Sequence, residues 1–344
     1  MKLIIQLFFM TNIFSAQGTL CAEKYGSDLY YGKASSDYIN RWSFQSLCNH
    51  VFDTRNGKFD QATTRRSGGI SFDPSHVKAG DIIFVRKIEL FMKTMHKKIA
   101  APYIMVTHGD FLDTTSNENL RYLDDEKIIA WFSIHPPSQW HPKYFPIPLG
   151  VVQKKGLLSK KKRILKHFEL LRSKPKTRLL TRIFSVKENP ERQKVAQILN
   201  GKSFYTVINE GLSFSRYLDE LASSVFTLSP RGWGPDCYRT WEALLVGTIP
   251  IVKRGQYGVM PIAKRYLRNA LYLLPVETQT QLERLYQDLP ILVIDDWNEI
   301  TEEFLRKKYS EITSKKYDIG PLYMEYWRNI IFSVQSEFLK NHRV

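Results

Sequence analysis

The sequence predicts an α/β protein in which two successive sheet-and-helix domains each carry a parallel sheet. Three observations predict it. Short apolar runs of four or five residues alternate with stretches of helical spacing in the first half. The same alternation resumes after a strongly basic interruption at 151–178. Several runs end in polar residues or glycine, as strands do where a parallel sheet presents its carboxyl ends to a ligand.

The elements follow in order. Met1-Lys2 and the apolar stretch Leu3 to Phe14, ending at Ala16-Gln17-Gly18, read as a leader over 1–22, either a cleaved secretory signal or an uncleaved anchor. The first domain takes 23–150, and its opening, Lys24 to Arg66, shows no periodicity. Lys78-Ala79-Gly80-Asp81 turns into the run Ile82–Val85; Ile88 to Ile99 has helical spacing; Tyr103–Val106 and Ile128–Phe132 are further strands. His108 and Asp110 follow the second run and His135 the third. Residues 151–176 read as a basic linker. The second domain, 177–300, opens on a strand at 178–184, and Asn189-Pro190-Glu191 starts a helix through Leu199, proline at the first position and an acid in the first turn. A short helix at Phe214–Ala222 and strands at 225–228, 249–252 and 291–294 complete it, and 301–344 reads as C-terminal helices.

Charge narrows the partner. Fifty Lys+Arg against thirty-four Asp+Glu give +16 over 344 residues, so an anionic partner is expected. Eleven Lys/Arg and one acid lie within 151–178, a solvated linker or exposed helix between domains, or a patch for an acidic membrane surface through 154–178. Aromatic residues are nearly absent there, which speaks against a nucleic-acid platform. Cys21, Cys48 and Cys237 make no disulfide framework or zinc pair, and the GxxxxGK[ST] loop of a P-loop NTPase is absent.

Residues 225–252 carry the chemistry. A buried strand runs into Arg231-Gly232-Trp233-Gly234, Pro235-Asp236 supplies a helix cap, and a helix runs to about Val246, with Gly247 at the position that favours positive φ. Backbone N–H groups of a glycine-rich turn and a helix N-terminus can face an anion. Arg239 and Glu242, three apart, share a face: the arginine suits a pyrophosphate, the glutamate a pair of ribose hydroxyls, the alternative being an intrahelical ion pair. Asp295-Asp296 has poor spacing for a metal and reads better as a strand end entering a helix.

Ser229-Pro230-Arg231-Gly232, Asp236, Arg239, Trp241-Glu242-Ala243-Leu244, Gly247 and Ile249-Pro250-Ile251-Val252 together resemble the exostosin family of glycosyltransferases, family 47 and its relatives. Val106-Thr107-His108-Gly109-Asp110, Trp131-Phe132, His141-Pro142-Lys143 and Ile147-Pro148-Leu149-Gly150 are similar to the family's first half. The resemblance implies a GT-B-like fold of two facing Rossmann-like domains, the second holding a nucleoside-diphosphate sugar and the first a glycan or other hydroxyl acceptor, with the C-terminal helix packed back on the first. It implies Arg239 at the diphosphate, Glu242 at the ribose, and Arg231, Gly232 and Gly234 close to the phosphates. Transfer would be inverting, with no bound cofactor or metal. Asp110 and His108 are the leading candidates for the general base and His135 a further one. The alternatives are a non-catalytic glycan- or polyanion-binding protein on a degenerate transferase fold, and a nucleic-acid binder, which the secretory leader and the missing recognition motifs oppose. The leader implies a secretory or extracytoplasmic location, or membrane association if it is retained.

Overall fold

The structure is a computed structural model, described here for residues 38–53, 59–60, 65–66, 72–109, 117–137, 139–152, 161–208, 210–232, 234–255, 282–286 and 288–342. The leader, Asp110, Trp233 and Lys154, Lys155 and Lys160 lie outside the described residues.

The first sheet is all parallel, in the order β1 (His50–Phe52), β4 (Asp81–Val85), β5 (Tyr103–Thr107), β6 (Ile128–Ser133), β7 (Tyr144–Pro146). A two-residue hairpin, β2 (Phe59–Asp60) with β3 (Arg65–Arg66), stands apart from it. One face, carrying Ile83, Val85, Met105 and Trp131, packs on α2 (Ile88–Thr94). The opposite face, carrying Phe84, Val106 and Phe132, shares a core with Phe44 of α1 (Arg41–Ser46) and with Trp327 and Ile330 of the C-terminal helix (Met324–Asn341). The strands advance in one direction across the sheet, so this half has no point where the strand order reverses.

The second sheet does have one. Its strands β8 (Arg178–Arg182), β9 (Tyr205–Val207), β10 (Ser224–Leu228), β11 (Ile249–Lys253) and β12 (Leu292–Ile294) lie in the order β12-β11-β10-β8-β9, all parallel. The chain reverses its advance between β8 and β10, which opens a crevice at their carboxyl ends. One face packs on α4 (Pro190–Ile198), capped by Asn189 as its sequence requires, and on α8 (Glu302–Thr313). The other faces the central core through α5 (Phe214–Ala222) and α6 (Tyr238–Leu245). Two parallel sheets with covering helices are the α/β architecture the apolar runs predict.

The basic stretch departs from a solvated linker. Residues Lys161–Arg172 form helix α3, which buries Ile164, Phe168 and Leu171 in the central core. The cations after them are spent on the fold. Arg172 donates to the Leu245 carbonyl at 2.9 Å and to the Tyr323 hydroxyl; Lys174 reaches the Asp219 carbonyl at 3.0 Å; Lys176 reaches the Ala222 carbonyl at 2.8 Å; Arg178 pairs with Glu220 at 2.7 Å. Asp296 caps the 3₁₀ turn 297–299 in a reciprocal box with Glu299, so the Asp295-Asp296 pair is the strand-end feature expected. The remaining helix, α7 (Leu282–Tyr286), packs beside β7, and the C-terminal helix is α9. Among the described residues no helix is long and apolar enough to cross a membrane.

Candidate active site

Two rows of strand ends face each other. On the first sheet Asp53 follows β1, Arg86 follows β4 and His108 follows β5, His135 lies two residues beyond β6, and all four side chains are buried. Arg41, the first residue of α1, hydrogen-bonds Asp53 and lies 4.6 Å over the Trp42 ring, and Arg86 Nη1 lies 3.8 Å from the other oxygen of the same carboxylate. Gly109 has φ +89, and a Cβ there would stand 2.7 Å from the Arg41 side chain, so this strand end needs glycine twice over.

His108 stacks on Phe44 at 5.4 Å and places Nε2 3.2 Å from the Pro148 carbonyl. A carbonyl only accepts, so Nε2 carries the proton and Nδ1 presents a lone pair, with no partner among the described residues. Burial, reinforced by the positive field of Arg41, pushes its pKa down to about 3, which keeps the ring neutral. His135 adopts φ 52, and its Nδ1 is likewise buried without a partner among the described residues. Burial and then Arg231 push its pKa to about 3. Its ring lies against Gly234, where a Cβ would come within 2.5 Å of it. The first sheet and the glycine-rich loop therefore touch at His135 and Gly234.

On the second sheet the loop after β10 is pinned from behind. Asn189 Nδ2 donates to the Gly232 carbonyl at 2.9 Å and Arg192 Nε to the Arg231 carbonyl at 3.0 Å. Helix α6 begins at Tyr238 with Cys237 as its N-cap and no side-chain cap, so its first-turn N–H groups keep their anion-attracting field. Asp236 is not the cap that the sequence suggests. Its Oδ2 accepts from Leu149 N at 2.9 Å and Trp241 Nε1 at 2.7 Å, and its Oδ1 from Cys237 N at 2.7 Å and the Tyr286 hydroxyl at 3.2 Å. Burial outweighs these bonds and raises its carboxyl pKa to about 6.

Arg239 is 8% exposed and lies 4.6 Å over the Phe184 ring, and its Nε and Nη1 have no partner among the described residues. Arg192 and Arg182 approach the same ring at 5.3 and 6.0 Å, and Arg182 Nε is also buried without a partner among the described residues. Three guanidinium groups thus converge on one aromatic ring, in the crevice between β8 and β10, beside the uncapped helix start. Burial lowers the Arg239 pKa, and the nearby Glu242 carboxylate offsets that cost only in part.

Glu242 departs from expectation. It is 3% exposed; Oε1 accepts from Val152 N at 3.0 Å and Oε2 from the Tyr217 hydroxyl at 2.8 Å. Both oxygens are engaged inside the ligand-free protein, each by a donor of its own, and the carboxylate pairs with the backbone of 152. Arg231, Gly232, Gly234 and Arg239 do gather at one crevice, with His135 touching it and His108 on the facing row. Arg41, Arg86, Arg182, Arg192 and Phe184 escaped the sequence reading. The signal that could have found three of them is the one that marked His108: Arg86 and Arg182 stand at the carboxyl ends of apolar runs, and Phe184 two residues beyond. Among the described residues no three His, Cys, Asp or Glu side chains gather as metal ligands.

Residues 176–341 match the family model described as the RXYLT1 C-terminal domain. No curated protein matches the chain. Similar solved structures include the GtfA/B complex, 12% identical over 76% of this chain and 59% of that one with a TM-score of 0.37, so the chain spans less than two thirds of that protein. A glycosyltransferase from Rickettsia africae ESF-5 is 10% identical over 76% and 77% with a TM-score of 0.38. The catalytic domain of starch synthase IV from Arabidopsis thaliana, bound to ADP and acarbose, is 11% identical over 77% and 74% with a TM-score of 0.33. The matched residues 176–341 contain the whole strand–loop–helix motif, and over them the chain is similar to the RXYLT1 C-terminal domain, which supports the resemblance to exostosin-like glycosyltransferases.

Proposed function

We propose that the protein is a glycosyltransferase that moves a sugar from a nucleoside-diphosphate sugar to a hydroxyl of a glycan or similar acceptor, with inversion. One observation carries the reading: Arg239, buried with two guanidinium nitrogens unmatched among the described residues, stands with Arg182 and Arg192 around Phe184 at an uncapped helix start. A buried cation only partly offset by a counter-charge is costly, and a diphosphate supplies the rest in the geometry guanidinium groups prefer. Arg231 and the glycine-rich loop lie beside it. Three arginines and a helix dipole suffice to hold a departing diphosphate, so the reading needs no metal.

On the facing row His108 is the general base. Its Nδ1 takes the proton of the acceptor hydroxyl as that oxygen bonds to the anomeric carbon. The bond from that carbon to the diphosphate breaks, and its electron pair leaves on the diphosphate oxygen. A single displacement of this kind inverts the anomeric centre. Burial is the main cause of the depressed basicity of His108 and the field of Arg41 the second; an anionic donor beside the ring offsets the second and favours the protonated ring as the transfer proceeds. Asp110, outside the described residues, is the competing base. A secretory or extracytoplasmic location, or membrane association through a retained leader, is part of the same proposal.

The test is a thermal-shift panel on the full chain with UDP-, GDP-, ADP- and CDP-sugars, with and without EDTA. One nucleotide should raise the melting temperature, Arg239→Ala should abolish the rise, and EDTA should leave it unchanged. Stabilisation by a polyanion but by no nucleotide would overturn the transferase reading in favour of a binding protein.

A further inference from the structure

The chain passes from the first half to the second through 147–152, and this crossover is held from two sides. On one side Gly150, at φ +73, lies so close to the Ile39 carbonyl that a Cβ would stand 2.3 Å from its oxygen. Val151 N donates to that carbonyl at 2.9 Å, and Ile39 N in turn to the Leu322 carbonyl at 3.2 Å. The crossover therefore lies beside the segment ahead of α1 and the segment that returns into α9. On the other side two carboxylates take the neighbouring amides: Asp236 accepts from Leu149 N at 2.9 Å and Glu242 from Val152 N at 3.0 Å. Both carboxylates are 3% exposed, and each is braced by other donors, Trp241 and Tyr286 for Asp236, Tyr217 for Glu242.

These two carboxylates belong to the element that carries the anion site. Asp236 follows the glycine-rich loop by two residues, and Glu242 lies one turn beyond Arg239 in α6. A shift of the loop or of α6 therefore pulls on the crossover. The crossover in turn leads back into β7, the edge of the sheet, whose neighbour β6 runs out to His135 two residues beyond its end. Burial makes the linkage stiff, because a carboxylate moved away from these donors finds no water to replace them.

We infer that Asp236 and Glu242 form a two-point clamp on the crossover 149–152, through which an anion in the arginine crevice fixes how the two rows of strand ends face each other. They are positioning residues for transfer, and Glu242 is not a ligand of the nucleotide. The coupling rests on the donor-site reading above; the clamp itself does not.

The experiment is amide hydrogen exchange across 147–152 of the full chain, without ligand and with inorganic pyrophosphate, joined to affinities for pyrophosphate and for UDP. Without ligand, Glu242→Gln should exchange at Val152 about tenfold faster than wild type, since its remaining amide oxygen is a weaker acceptor than a carboxylate and its NH2 cannot accept from Tyr217, which together lower the local opening energy. Pyrophosphate should slow exchange at Leu149 and Val152 in wild type, and Glu242→Gln should lose that slowing while binding pyrophosphate and UDP with affinities within about threefold of wild type. Tyr217→Phe, which removes one hydroxyl and leaves the bond to Val152, should give the same pattern in weaker form and decides the matter if Glu242→Gln does not fold. Equal ligand-free exchange in wild type and variants overturns the clamp. A large loss of UDP affinity in Glu242→Gln with pyrophosphate affinity retained makes Glu242 a ribose ligand and also overturns it. Failure of wild type to bind pyrophosphate overturns the donor site and the coupling, while the ligand-free rates still decide the clamp.

Discussion

Gly234 and His135 show how much of this molecule rests on single contacts between its halves. A methyl group at position 234 would meet the imidazole at 2.5 Å, well inside contact distance, and the ring is boxed in by burial. Gly234→Ala should therefore destabilise the protein by about 1–3 kcal/mol, the usual cost of overpacking. The double variant with His135→Gly should recover most of that loss, since it removes the ring and also relieves the positive φ at 135. Urea unfolding of the four members of this cycle measures the coupling. If Gly234→Ala costs the same with and without the imidazole, the contact does not join the halves. His108 makes a second prediction at this scale. With Nε2 committed to the Pro148 carbonyl, His108→Gln keeps a donor to that carbonyl but provides no basic lone pair. Turnover should fall about 100-fold or more while donor affinity stays near wild type, as removal of a general base requires. Single-turnover kinetics against nucleotide affinity separates the two quantities, and a parallel loss of both would assign His108 to binding.

Elements were legible in the sequence wherever they bury a run of apolar residues. The strands at 81–85, 103–107, 128–133, 224–228 and 249–253 lie on the runs that predict them within a residue or two, and α5 coincides with its prediction at 214–222. Strands β1, β7 and β9 were not legible. Each is three residues long and mixes apolar with polar or proline residues, unlike β12, which is as short but lies in the wholly apolar run 291–294. The convergence of Arg182, Arg192 and Arg239 on Phe184 was illegible for another reason. Arg182 and Arg239 are far apart in sequence, and only the reversal of strand order between β8 and β10 brings their crevice into being. The clamp on 149–152 depends on the same long-range placement. The crossover also carries a prediction at this scale. Gly150→Ala forces a side chain into both a left-handed backbone and a fixed carbonyl at 2.3 Å, and backbone cannot yield as a side-chain tip does. It should lower stability by about 3 kcal/mol or more, beyond the ordinary range for a surface glycine. Gly201→Ala, with positive φ but open space around it, should cost only about 1 kcal/mol. Equal losses at the two sites would mean that the crossover is not packed against Ile39.

At the scale of the whole molecule the buried cleft should make stability depend on pH with a sign that can be worked out. His108 and His135 are held neutral by burial, with pKa values of about 3 against an ordinary 6.5, so between those limits the unfolded chain binds up to two more protons than the folded one at these sites. Stability from this source is present above pH 6.5 and is lost as pH falls toward 3. Asp236 acts in the opposite sense. Its pKa is raised to about 6 from an ordinary 3.8, so between those values the folded chain binds the extra proton, and stability from this source falls as pH rises through that window. Near pH 5 the three groups together leave one proton more on the unfolded chain, a slope of about 1.4 kcal/mol per pH unit at most. Other paired carboxylates, such as Asp125 and Glu220, add slope of the same sign as the histidines, so the comparison between variants is what isolates the cleft. His135→Gln removes one histidine and should cancel the net contribution of the three groups, leaving a flatter profile between pH 4.5 and 6. Above pH 6.5 its profile should run parallel to wild type. Urea midpoints of wild type and His135→Gln, measured every half pH unit from 4.5 to 7.5, test this, and parallel profiles through the acid range would mean that His135 titrates as a solvated side chain and that the two rows of strand ends do not seal it from water.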